Sequence, residues 1–512
     1  VSWIFVLINL PHTELFTALA EMEELLETEA VLINNLEGYI DVQERKIDYL
    51  KKVPKRTCRR RCGYFGIFIE SYQCLFTHKA TYIRLATTFL ENITNYRNVL
   101  KFPSDEDLNG AAVALMRLQD TYNLETSSVA KGELNGVQYS TEMSSSDCFE
   151  LGRQSYVNGD YYHTVLWMHE AMDRLPRENE TSSSGISKAD ILEYLAFSTY
   201  KQGNVEKALV MTNELLDLEP NHERAVGNKV FYEKEIASQE KVIRKVKGDD
   251  GTDEVEIADI PITLKSNPVE YDLSERKLYE MLCRGDIKPT PQHLNPLRCK
   301  YVDNGVPFLK IGPLKLEEAH LNPYIVIYHD VMSDQEIDVV KRLARPRFRR
   351  ATVQNSKTGE LEIAHYRISK SAWLKDEEHP YIANIVRRVE DMTDLSMETA
   401  EELQVVNYGI GGHYEPHFDF ARNSHGSILC GDVEQGGATV FPSLRIALLP
   451  KKGTAAFWYN LYASGEGDYR TRHAACPVLT GTKWVSNKWI HERGQEFRRQ
   501  CKLEPDHPET YY

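Results

Sequence analysis

Apolar positions fall at two different periods along this chain, and the change from one to the other divides it. Between residues 12 and 52, Leu15, Leu19, Met22, Leu26, Leu32, Leu36, Ile40, Ile47 and Leu50 recur at spacings near three, four and seven among many acidic residues. That spacing predicts one long amphipathic helix whose apolar stripe needs a partner helix, in its own chain or in another. Residues 54–75 interrupt the pattern with Cys58-Arg-Arg-Arg-Cys62, which lacks the second ligand pair a zinc site requires. Helical periodicity resumes near residue 80, and Asp105-Glu-Asp107 leads into a predicted helix from Gly110 to Tyr122.

Residues 146–236 hold an internal repeat. Tyr156-Val-Asn-Gly159-Asp160 precedes a helix running through Trp167 and Ala171, and Tyr200-Lys-Gln-Gly203-Asn204 precedes another through Ala208 and Leu215. Small and aromatic residues at these offsets mark helix pairs stacked through tight turns, the tetratricopeptide pattern. The period exceeds the usual ~34 residues, and the polar stretch Pro176 to Lys188 supplies the excess. The repeat would present a concave face rich in aromatics: Tyr156, Tyr161, Tyr162, Trp167, Tyr194, Tyr200 and Tyr232. Either these rings are repeat core, or they form a groove that grips an extended polyproline II segment. Tyr156, Tyr161, Tyr194, Tyr200 and Tyr232 are the candidate peptide contacts.

Residues 244–265 read as a charged linker. From about residue 320 the period shortens towards two, in runs separated by Gly and Pro turns: Tyr324–Tyr328, Leu403–Tyr408, Thr454–Tyr459 and Lys483–Trp489. Helices are expected at Ser333–Ala344 and Tyr381–Thr393. Many short strands with turn signals predict a jelly-roll or barrel. The expected organisation is multidomain α + β. It runs from a candidate leader remnant (1–10) through an N-terminal helical, coiled-coil-like region (11–143) and a tetratricopeptide-like domain (144–240). A linker (241–320) then joins these to a double-stranded β-helix (321–505, core 400–492) with flanking helices.

Charge and cysteine content narrow the function classes. With 61 Lys and Arg against 76 Asp and Glu, the net charge of -15 offers no basic footprint for nucleic acid. No apolar run reaches the ~18–20 residues of a membrane span. Trp3 to Leu10 is apolar but short; it reads as the tail of a secretory signal or as the first turn of a helix. Nine cysteines are compatible with an oxidising compartment. Asn92-Ile-Thr94 and Asn179-Glu-Thr181 are glycosylation acceptors if the chain enters the secretory pathway.

Candidate chemistry lies in the β-rich part. His417-Phe418-Asp419 would alternate along a strand, so that His417 and Asp419 share a face. With the distant His473 they make two histidines and one carboxylate, the facial triad of non-haem Fe(II) oxygenases, which leaves three coordination sites open. Lys483 follows at the start of the next strand; a cation buried there needs an anionic partner, and the distal carboxylate of 2-oxoglutarate fits. Tyr408 could donate a further hydrogen bond to that cosubstrate. His491 and Trp489 are close enough in sequence to line the same mouth, or are ordinary rim residues.

The run Tyr408-Gly-Ile-Gly-Gly-His-Tyr-Glu-Pro-His417-Phe-Asp419-Phe-Ala-Arg422 resembles the first metal-ligand motif of collagen prolyl 4-hydroxylase α-subunits. Phe457-Trp-Tyr-Asn-Leu, Ala463-Ser-Gly-Glu-Gly-Asp-Tyr, Thr471-Arg-His473-Ala-Ala-Cys476-Pro-Val and Trp484-Val-Ser-Asn-Lys-Trp-Ile-His491-Glu-Arg-Gly continue the likeness in order. It extends back to about residue 103. The resemblance implies that His417, Asp419 and His473 bind Fe(II) and that Lys483 binds 2-oxoglutarate, with Tyr408 and His491 at the cosubstrate. It further implies L-ascorbate as a cofactor, a repeat domain that binds proline-rich procollagen, and α–α association through the N-terminal helices. Protein disulfide isomerase would be the β-subunit of an α2β2 tetramer in the endoplasmic reticulum lumen. Disulfides Cys283–Cys299 and Cys476–Cys501 are implied as well.

Two departures from the family pattern stand out. Between Arg422 and Gly436 roughly one strand and its loop are missing, a strand typically being ~5–6 residues. Either Val433 and its neighbours form a shortened substitute, or loss of an internal strand leaves neighbouring backbone groups unpaired, which sets a catalytically impaired peptide-binding subunit beside the active enzyme as an alternative. Phe197 stands where the family pattern has tyrosine.

Overall fold

The computed structural model of the chain describes residue 45 and residues 105–175, 186–246, 274–354, 361–420, 424–429 and 433–502. The leader remnant, the helix over 12–52, the Cys58–Cys62 segment, both sequons and most of the charged linker lie outside the described residues.

Helix α1 (Asp105–Tyr122) extends the predicted Gly110–Tyr122 helix by its acidic N-terminal turn. The repeat follows as α2 (Ser145–Val157), α3 (Tyr161–Arg174), α4 (Lys188–Lys201), α5 (Val205–Leu218) and α6 (Glu223–Val246). Its turns are built as the sequence repeat implies. Gly159 and Gly203 take φ of +76° and +90°, a backbone conformation that side chains with a Cβ rarely adopt. The next residues, Asp160 and Asn204, cap α3 and α5 by accepting from the amides of His163 and Lys207. Ser144 and Ser187 start α2 and α4 with reciprocal capping boxes to Asp147 and Asp190. Each cap contributes about 1 kcal/mol. The apolar faces meet in a core of Trp167, Met168, Ala171, Leu192, Leu195, Ala196 and Leu215.

The C-terminal part begins earlier than the sequence suggests. Residues 241–320 read as a linker, yet α7 (Glu275–Arg284), β1 (Cys299–Val302) and β2 (Leu314–Leu321) are ordered elements. Strand β2 escapes a pattern search because Lys315, Glu317 and His320 interleave with Leu316 on a strand buried at only two positions. These strands open a nine-stranded sheet with β3 (Tyr324–His329), β4 (Arg349–Arg350), β6 (Lys370–Leu374), β7 (Leu403–Tyr408), β9 (Ser424–Leu429), β12 (Ala455–Trp458) and β15 (Lys483–Ile490). Its order is β1-β2-β3-β12-β9-β15-β7-β6-β4. A five-stranded sheet, β11-β10-β13-β8-β5, holds β5 (Arg367–Ile368), β8 (His413–His417), β10 (Thr439–Phe441), β11 (Ile446–Leu448) and β13 (His473–Ala475), and the short β14 (Val478–Thr480) pairs with Gln435–Gly436. Helices α8 (Asp334–Ala344) and α9 (Pro380–Thr393) bury Ile337, Val340, Ile382, Ile385 and Val389 in the core beside the larger sheet. The buried Glu336 accepts from Arg388 at 2.8 Å and joins the two helices.

The strand missing from the sequence pattern is present in the backbone. β9 pairs with β12 through Gly426↔Phe457 and with β15 from Ser424↔Ile490 to Leu429↔Val485. The short segment therefore restores the ladder, with Ser424–Leu429 rather than Val433 as the replacement. Strand propensity is low in Ser-His-Gly-Ser, which is why the sequence did not reveal it.

The cysteine pairing differs from the expectation as well. Cys283, near the end of α7, is bonded to Cys476, just beyond β13, with Cα atoms 5.6 Å apart. Cys299 and Cys501 are free and exposed. Fold topology brings α7 onto the smaller sheet, where Tyr279 and Leu282 pack with Val440 and Ala474; Cys299 instead lies at the edge of the larger sheet. The bond closes a loop with a sequence separation of 193 residues, worth on the order of 5 kcal/mol in the chain-entropy view. Non-reducing peptide mapping is expected to recover a Cys283–Cys476 cross-link, and Cys283→Ala to lower the Tm by several degrees; recovery of Cys283 joined to Cys299 would contradict this pairing.

Candidate metal centre and cosubstrate pocket

Two neighbouring strands of the smaller sheet create the centre. In the β8–β13 ladder His417 lies directly opposite His473, so their rings share a face, with centroids 4.5 Å apart. β8 ends at His417, and Asp419 sits in the bend beyond it rather than on the strand. The bend turns the carboxylate back between the rings: His417 Nε2 is 3.3 Å from Asp419 Oδ1, and His473 Nε2 is 3.2 Å from Oδ2. All three ligand atoms lie within 4.8 Å of one another. Each histidine places its other nitrogen on a backbone carbonyl two residues earlier, His417 Nδ1 on Glu415 at 2.7 Å and His473 Nδ1 on Thr471 at 3.0 Å. Donation from Nδ1 leaves the Nε2 lone pairs for a metal and fixes the ring planes. Burial holds the His417 imidazole below its usual pKa, and the neighbouring His473 adds to this. Tyr414 stacks on His417 at 3.5 Å, while Phe441 and Trp458 wall in His473.

The pocket beside the triad comes from the larger sheet. Tyr408, the last residue of β7, is the cross-strand partner of Lys483, the first of β15. Lys483 is 1% exposed. Its Nζ donates to Thr439 Oγ1 at 3.3 Å and lies 5.6 Å from the Tyr408 ring centroid, and no carboxylate pairs with it among the described residues. Burial brings the ammonium down to about 7. Gly437 clears the lysine stem: a Cβ there would lie 3.4 Å from Lys483 Cδ. Burial likewise pushes the Tyr408 phenol up, and Tyr408 and Val485 pack in one cluster with Ala475 and Tyr414 of the two histidine-bearing strands, so the two sites share one interior. An orphaned cation beside two imidazoles and a carboxylate fits Fe(II) with a dicarboxylate cosubstrate.

The other candidates distribute unevenly. His491 lies beyond β15, with Nε2 3.1 Å from Glu401 Oε1, and is not brought to Lys483. Trp489 faces Gln404. In the repeat, Tyr194, Tyr156, Tyr161, Phe197 and Tyr200 form a continuous row of half-buried rings, with centroids 5.0–6.2 Å apart. Phe197 stands at its middle. Tyr232 closes the row at 4.9 Å from Tyr200 but is only 1% exposed, packed on Val205 and Ala208. Trp167 is wholly buried core. Sequence reasoning missed Thr439 and the aromatic wall of Tyr414, Phe441 and Trp458; only strand register places them, and no spacing signalled it.

Family models match this arrangement region by region. The prolyl 4-hydroxylase α-subunit N-terminal region matches residues 73–136, the prolyl 4-hydroxylase peptide-substrate-binding domain residues 145–238, and the 2OG-Fe(II) oxygenase superfamily residues 403–491. Human prolyl 4-hydroxylase subunit alpha-1 is 45% identical, with 97% of each chain covered. The chain belongs to the prolyl 4-hydroxylase α-subunit family. The Caenorhabditis elegans alpha-2 subunit is 44% identical over 99% of this chain and 96% of its own. A viral collagen prolyl hydroxylase from Paramecium bursaria Chlorella virus-1 aligns with 32% of this chain and 94% of its own at 25% identity, with a TM-score of 0.27; the assignment rests on the sequence relatives.

For a member of this α-subunit family the pocket lysine should set the pH range of cosubstrate binding. The carboxylate needs the charged ammonium, and with a free-state value of about 7 the lysine must take up a proton on binding above neutrality. The 2-oxoglutarate Kd should therefore rise roughly tenfold per pH unit above 7, measured by calorimetry in buffers of different ionisation heat. Lys483→Ala should abolish that dependence, and Thr439→Val should weaken binding about fivefold to tenfold.

Proposed function

We infer that this chain is the catalytic subunit of a 2-oxoglutarate-dependent prolyl 4-hydroxylase acting on X-Pro-Gly sequences in procollagen or collagen-like chains. The observation that carries the reading is the buried, carboxylate-free Lys483 in the interior that also holds the triad. When bound, iron and 2-oxoglutarate supply an oxidative decarboxylation: O2 gives one oxygen to succinate and one to proline C4, with release of CO2.

The residues of the chain do the arranging. His417, Asp419 and His473 would hold the iron and leave room on it for the cosubstrate and O2. Lys483 and Thr439 orient the distal carboxylate, and Tyr408 is assigned to the same cosubstrate. Tyr414, Phe441 and Trp458 exclude water around the imidazoles, which strengthens every charge interaction inside. The aromatic row from Tyr194 to Tyr200 suits a proline-rich peptide, because a preformed polyproline II helix loses little entropy on docking.

Protein disulfide isomerase is the proposed β-subunit of an α2β2 assembly, with α–α contacts through the N-terminal helices and L-ascorbate as the reductant that restores idle iron. The proposed location is the endoplasmic reticulum lumen, supported by the Cys283–Cys476 bond and the two sequons. Among the described residues no helix is long and apolar enough to cross a membrane. No observation favours an impaired subunit, since β9 fills its place in the sheet.

Succinate release is the test. The chain co-expressed with protein disulfide isomerase, given Fe(II), ascorbate and a (Pro-Pro-Gly)n peptide, should form succinate in a peptide-dependent manner. His473→Ala should lower the rate by at least about a hundredfold. An assembled complex that makes no succinate would refute the catalytic reading.

A further inference from the structure

Helix α1 touches both functional regions with opposite faces. On one face Met116 joins the repeat core, Gln119 Oε1 accepts from the wholly buried Trp167 Nε1 at 2.9 Å, and Asp120 lies 3.4 Å from His163. On the other face Arg117 Nη1 donates to the Gly411 carbonyl at 3.1 Å, and Tyr122 donates to the Pro477 carbonyl at 2.6 Å. The fit is close: a Cβ on Gly411 would lie 2.6 Å from the Ala114 Cβ, and one on Gly436 would lie 2.6 Å from the Tyr122 hydroxyl. Glycine is thus required at both points of contact.

The places gripped are the ends of the metal strands. Gly411 is two residues before β8, which delivers His417, and its amide donates to Val478. Pro477 follows β13, which delivers His473, and is next to the disulfide at Cys476. The same carbonyl of Pro477 accepts from Gly437, which precedes Thr439 of the cosubstrate pocket. Arg284 of α7 donates to the Thr121 carbonyl at 2.9 Å and locks the C-terminal end of α1 to that corner.

We propose that α1 is a positioning strut that couples peptide binding in the helical repeat to the metal strands, with Arg117 and Tyr122 as its contacts on the catalytic side. The inference rests on the proposed function for the identity of the peptide. Ordering the repeat by peptide tightens α1 through Trp167 and Met116. That tightening passes to the Gly411 and Pro477 backbones, so that the reacting proline and the metal are held in one frame. Coupling through packed contacts of this kind typically changes local opening by about fivefold or more.

Hydrogen exchange on the assembled complex tests this without turnover. A (Pro-Pro-Gly)n peptide should slow amide exchange in residues 145–238 and also, by about fivefold or more, in residues 409–413 and 476–479. In Arg117→Met and Tyr122→Phe the repeat should still be protected with an unchanged peptide Kd, while the second protection is lost. Peptide-independent succinate formation should stay at the wild-type level, and hydroxyproline formed per succinate should fall at least twofold. Protection confined to the repeat in the wild type, or variants that transmit it fully, would overturn the proposal. So would loss of peptide-independent turnover together with a lowered Tm, which is the signature of a merely structural contact. A wild type that transmits protection yet makes no succinate would refute the proposed function and leave the strut standing.

Discussion

A lysine amine sealed inside a β-sandwich is the constraint around which the catalytic part is organised. Lys483 occupies the first position of an interior strand of the larger sheet, with β7 on one side and β9 on the other. Removing a charged ammonium from water costs several kcal/mol unless an anion is provided. The surrounding residues lower that cost only slightly, through one hydroxyl and one aromatic face. The remainder is a standing preference for a carboxylate, and the Tyr408↔Lys483 register aims it at the interior that holds the triad.

The metal side is built with the same economy of means. An antiparallel pairing that sets two histidines opposite each other, followed by one bend, assembles three donors from two short strands. Backbone carbonyls orient both rings, so no additional acidic side chain is needed behind them. Since the strands carry both candidate histidine ligands and one of them leads directly into the bend with Asp419, whatever fixes the strand ends also fixes the donor geometry.

Much of this was legible in the sequence, for identifiable reasons. The Gly-Asp and Gly-Asn turns of the repeat follow from local backbone and capping chemistry, which one or two residues determine. The triad was readable because a strand with alternating sides, even one that breaks before Asp419, keeps ligands two apart on neighbouring positions. What failed to show was everything set by long-range register. Thr439 meets Lys483 only once β10, β13 and β15 are placed, and Cys283 meets Cys476 only once α7 is laid on the smaller sheet. His491 followed the motif in sequence but turned to Glu401. Strand β2 was hidden by charged residues on its open side, and Tyr232 proved to be core although its neighbours in the aromatic row are half exposed.

The shortened segment at β9 bears on how such proteins diverge. Backbone rungs do not read side chains, so a ladder position can be refilled by any run that reaches between two existing strands without proline. Ser424–Leu429 does so between β12 and β15, which are anchored elsewhere by their other neighbours. That wall of the sandwich is consequently a place where segments of different length can replace one another, whereas the opposite wall, which carries the candidate ligands on its side chains, admits no such exchange.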